Sequence, residues 1–131
     1  MEVQIRPLIA TITGIVFLFF GVGDGLGSIA IIAGGFGAGP FSASASLYVA
    51  LAGAIFLIFA PLEIVAGSRF WRSDPAGARL GVPLLAAAIL FNLVSYPLGG
   101  PFSMNPLFIA RDLVMIVLAV AAGRRLQRSP E

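Results

Sequence analysis

The chain has 131 residues, 59% of them hydrophobic, with a mean hydropathy of +1.02 and only 11% charged, against roughly 25% in a soluble domain. Eight arginines, no lysines and six acids give a net charge of +2. The arginines stand at the ends of apolar runs, which marks them as topology signals and lipid-headgroup contacts and not as a nucleic-acid face. Histidine and cysteine are absent, so this chain has no disulfide, thiol redox step, His- or Cys-ligated zinc or haem, or Ser-His-Asp chemistry.

The first predicted span covers residues 8–33, with Pro7 suited to its first turn, where the missing N–H is not needed. This run exceeds the roughly 20 residues that cross a hydrocarbon core. It is also longer than the apolar segment of a cleavable signal peptide and is preceded only by Arg6, so it is expected to be retained. Late in the run, Gly21, Gly23, Gly25 and Gly27 form two overlapping GxxxG spacings around Asp24. Such small residues allow close helix packing in a bilayer; the alternative is a break in the helix near Asp24.

Residues 34–45 form an uncharged connection, and Ser44 or Ser46 can cap a second span over 47–67. Pro61 inside that span predicts a kink, and Glu63 follows two residues later. The polar connection 68–79 holds Trp71, which suits a headgroup-level anchor. Asp74-Pro75 reads as an N-cap with Pro at the first helical position, opening a third span over 76–96. Asn105-Pro106 opens a fourth span over 106–123, with Gly123 as its expected C-cap. The fold class is therefore all-α: a single integral membrane domain built as a four-transmembrane-helix bundle.

Seven of the eight arginines (Arg6, Arg69, Arg72, Arg79, Arg124, Arg125 and Arg128) fall on one side of this arrangement, and the connections 34–45 and 98–105 hold none. The positive-inside rule puts both termini and the middle connection in the cytoplasm of a cell with a plasma (inner) membrane.

Ionisable groups inside a span cost roughly 2.5–3.5 kcal/mol at mid-helix, so each demands a reason. Asp24, Arg111 and the neutral Asn92 are expected in the outer half of the bundle, in a polar cluster with Asp112, with an Asp24–Arg111 ion pair and Asn92 and Tyr96 nearby. That cluster is either a pocket for a quinone headgroup or small substrate, or a salt bridge fixing helix order. The alternative for Arg111 and Asp112 is to reach the outer interface by snorkelling. Being adjacent, they are expected to diverge, with one at most facing Asp24. Glu63 is placed toward the inner end, either carrying protons or a cation or paired with Arg79 or Arg69. The phenylalanines, such as Phe17, Phe19, Phe20, Phe56 and Phe59, read as lipid-facing or packing groups.

FLFFGVGDGLG closing the first span, LEIVAG closing the second and RDLVMIVLAVAAGRR as the fourth resemble the DoxX-like family of small four-helix membrane proteins. Asp24 stands where many of its members carry a basic residue. The resemblance implies a bundle serving as membrane partner of a redox system, with quinone as the candidate cofactor, and carries over no catalytic residue. Small multidrug transporters and fluoride channels match in size but not in their signature motifs. The first expectation is thus a non-catalytic subunit that anchors or stabilises a larger membrane complex, in partnership with lipid and with other subunits or itself. The alternative is a small homo-oligomeric transporter or channel working through intramembrane carboxylates. No catalytic residue or metal ligand set is assigned.

Overall fold

A computed structural model describes residues 7–36, 43–95 and 106–128. All four elements in it are helices: α1 (Leu8–Phe36), α2 (Ala43–Trp71), α3 (Ala76–Ser95) and α4 (Pro106–Arg128). Among the described residues, three stretches are long and apolar enough to cross a membrane: Leu8–Ile29, Gly53–Trp71 and Ala76–Val94. The helices pack in a ring, α1 on α2, α2 on α3, α3 on α4 and α4 back on α1, with the α1–α2 contact much the most extensive.

Neighbouring helices run antiparallel, as the glycine contacts report. A Cβ at Gly14 would lie 3.0 Å from Gly67 O and from Trp71 N, one at Gly21 would meet Ile64, and one at Gly25 would meet Ala60. Backbones this close leave no room for a side chain, so α1 and α2 cross through bare glycine. On the other side of α2, Gly77 and Gly81 of α3 form a notch for the rings of Phe70 and Phe17. Those two rings are fully buried and tilted 52° to each other with centroids 5.5 Å apart, the geometry that suits opposed ring quadrupoles. Leu85, Met115, Ala119 and Ala122 complete this core.

The outer surface is apolar. Leu8, Phe19, Leu26, Ile58, Leu90, Leu107 and Val117 are each more than 60% exposed, a distribution opposite to that of a water-soluble bundle.

α1 runs unbroken through Asp24 and its glycines, without the alternative break. Several boundaries differ from expectation: α1 continues to Phe36. α2 starts at Ala43, so Ser44 and Ser46 lie inside the helix and do not cap it, and it passes through Pro61 to end at Trp71. Its stop is a backbone motif with no glycine in it: Ser73 adopts a left-handed φ of 60°. Asp74 N–H donates to Arg69 O at 2.8 Å and Ser73 N–H to Phe70 O at 2.9 Å, the paired bonds of a Schellman cap. Asp74 then caps α3 as expected, its Oδ1 accepting from Ala76 N–H at 2.9 Å, while its Oδ2 pairs with Arg69 at 3.1 Å. α4 continues past Gly123 to Arg128. Gly123 is not a cap: a Cβ there would lie 2.7 Å from Ala78 Cβ, so it serves the approach of α4 to α3. Most of the two charge-free connections, residues 37–42 and 96–105, and Tyr96 with them, lies outside the described residues.

A charged cluster between α1, α2 and α4

Asp24 comes from the middle of α1 and Arg111 from the second turn of α4, and the antiparallel packing of these helices brings them together. Arg111 Nη1 donates to Asp24 Oδ1 at 2.8 Å and Nη2 to Asp24 Oδ2 at 3.1 Å. This is the bidentate fork for which a planar guanidinium is suited. The other edge of the same group turns back on its neighbour: Nε and Nη2 donate to Asp112 Oδ1 at 3.1 and 2.9 Å. Adjacent side chains on a helix leave it about 100° apart, which is why Arg111 and Asp112 were expected to diverge. The length of the arginine overcomes that angle, and both residues join the cluster. Asp112 is only 1% exposed, so it does not snorkel to an interface.

Two aromatic rings enclose the guanidinium. Its carbon lies 5.0 Å from the centroid of Phe20 and 5.1 Å from that of Phe108, within cation–π range. Phe20 stands four residues before Asp24 and Phe108 three before Arg111, so each ring shares a helix face with its ionic partner. That spacing is visible in the sequence, although a lipid-facing or packing role for Phe20 does not predict the contact with Arg111.

Glu63 does not lie toward the inner end of the bundle as expected. It is buried, at 2% exposed, and faces Asp24, with Arg111 and Asp112 as the other charges acting on it. Its expected partners are elsewhere: Arg69 is bound to Asp74, and Arg79 is exposed at the start of α3. The reason is the axial offset between α1 and α2. α2 ends opposite Gly14, not opposite Leu8, so Glu63, eight residues before that end, sits near the level of Asp24. Its Oε2 is buried without a hydrogen-bond partner among the described residues.

Asn92 is buried on α3, while all four hydrogen bonds of Arg111 go to Asp24 and Asp112. Gly21 and Gly25 pack α1 on α2, whereas a Cβ at Gly23 or Gly27 would meet nothing within 4 Å among the described residues. The charged members of the cluster are three carboxyl groups and one guanidinium, with the rings of Phe20 and Phe108 over the guanidinium. No protein-family model matches the chain, and comparison with curated proteins and with solved structures finds no match.

Proposed function

We propose that this chain is a four-span protein of a cell membrane, with both termini on the cytoplasmic side, that exchanges a cation at carboxylates inside the bilayer. Its activity would then be that of a small transporter or channel component. The observation that carries this reading is Glu63, a buried carboxyl whose Oε2 has no hydrogen-bond partner among the described residues, set beside Asp24. A carboxyl placed this way is costly unless something positive joins it, and the Arg111 fork is spent on two other carboxylates. Four spans are supported by the length of α4, 23 residues or about 34 Å, and by its exposed Leu107, Phe108, Leu113, Val114 and Val117. The orientation is supported by Arg69, Arg72 and Arg79 at the α2–α3 turn lying at the same end of the bundle as Arg124, Arg125 and Arg128, since Gly123 packs on Ala78.

The test is flux. Liposomes containing the purified chain, given a cation gradient at fixed membrane potential, should carry a current that E63Q lowers at least tenfold. Absence of flux from the unmodified protein, or equal flux from E63Q, would overturn the reading.

A second reading, a non-catalytic subunit of a larger membrane assembly, is favoured by one observation. Gly23 and Gly27 present a small-xxx-small ridge on α1 with nothing within 4 Å of an added Cβ among the described residues, a surface suited to another membrane helix. Purification in mild detergent discriminates: stoichiometric foreign subunits support this second reading, and a homogeneous, colourless preparation active in flux removes it.

A further inference from the structure

We propose that the cation taken up at this site is a proton, shared between the carboxyl groups of Glu63 and Asp24. The proposal rests on the exchange-site reading above and names its occupant.

The geometry argues first from donors. An ionised carboxylate has acceptor atoms only, so Glu63 and Asp24 facing each other cannot form a hydrogen bond while both are charged. One proton turns one of them into a donor and creates a short, charge-assisted O–H···O bond. Glu63 Oε2 has no hydrogen-bond donor among the described residues. Arg111 gives its four hydrogen bonds to Asp24 and Asp112. Arg69 on α2 is held by Asp74, and the one ionisable residue of α3, Arg79, stands at its opposite end from Asn92. The charged groups facing Glu63 are Asp24 from α1 and Arg111 and Asp112 from α4.

Oxygen availability argues against calcium or magnesium. Calcium takes six to eight oxygen ligands, and magnesium demands a near-octahedral set. Here both oxygens of Asp24 accept from Arg111, and Asp112 Oδ1 accepts twice. Among the described residues no group of three or more acidic, His or Cys side chains is arranged to hold a metal. A proton needs only a single lone pair, which Glu63 Oε2 leaves open.

Charge bookkeeping agrees. Three carboxylates and one guanidinium amount to a net charge of −2 when fully ionised, and burying uncompensated charge is expensive. One proton lowers this to −1. The remaining charge lies on the Asp24–Arg111–Asp112 bridge, where Arg111 and Asp24 keep side-chain exposures of 15% and 18%. Uptake and release involve no redox step: Glu63 as carboxylic acid loses H+ to give carboxylate, and the reverse restores the bond to Asp24.

Infrared spectroscopy of the purified protein in lipid vesicles tests this without depending on flux. At neutral pH the unmodified chain should show a carbonyl stretch of a protonated carboxylic acid, shifted by D2O and lost in E63Q. Carbon-13 labelling of glutamate carboxyls should move the same band in the unmodified protein, which keeps the test valid if E63Q fails to fold. Added sodium, potassium or calcium should leave the band unchanged. Absence of the band, or its insensitivity to glutamate labelling, would overturn the proposal. Removal of the band by sodium would overturn it too, leaving exchange of a different cation intact. A labelled band in a protein without flux would keep the proton site and remove the transport reading.

Discussion

Arg111 joins two helices through one planar group. Its fork binds Asp24 across the bundle and Asp112 on its own helix, and the rings of Phe20 and Phe108 cover it. Removing Arg111 strands both Asp24 and Asp112, so R111Q should cost roughly 3 kcal/mol or more, whereas D24N leaves Arg111 paired with Asp112 and should cost less. The double variant should lose distinctly less than the sum. R111K should fall between, since lysine keeps the charge but not the fork. Reversible unfolding in mixed detergent micelles measures all four; additive losses would show that the pair is not coupled. Of these residues, the Asp24–Arg111 partnership was legible in the sequence, because both are rare charges at compatible depth. The place of Glu63 was not, because it depends on the axial offset between α1 and α2. Nor was the return of Arg111 to Asp112, which depends on a rotamer.

At the scale of the helix, glycines with the same local spacing have different roles. Gly21 and Gly25 face α2, while Gly23 and Gly27, displaced by two residues or about 200° around the helix, face outward. Gly67 has the tightest backbone contact in this pairing: a Cβ would lie 2.9 Å from Leu18 N and 3.0 Å from Gly14 O. G67A should therefore force α1 and α2 apart and destabilise by about 1–3 kcal/mol. G23A and G27A in the isolated chain should be neutral or stabilising by up to about 1 kcal/mol, as expected for exposed helical positions. Thermal unfolding in detergent separates the two classes, and a loss at Gly23 as large as at Gly67 would contradict the packing. The GxxxG pattern predicted close packing but could not tell which of two opposite faces carries it. It also hid Gly14, which lies seven residues before Gly21 on the α2-facing side, and the Gly77–Gly81 notch that accepts Phe70 and Phe17.

For the whole molecule, hydropathy specified most of the architecture, because a chain this apolar has few ways to satisfy its backbone other than by helices. The number of helices, the Asp74 cap and the clustering of arginines at one end were all legible. Helix ends were not: α2 runs on to Trp71 because its stop is the left-handed Ser73, a conformation that serine does not advertise. The central claim is that four spans hold the charged cluster within the bilayer, with the arginine-rich end in the cytoplasm. The chain has no cysteine, so single cysteines report topology without background. R72C and Q127C should react with a membrane-impermeant maleimide only after permeabilisation, and S103C, in the connection before α4, should react in intact cells. Labelling of S103C and Q127C from the same side would mean that α4 does not cross, and the four-span account would be wrong.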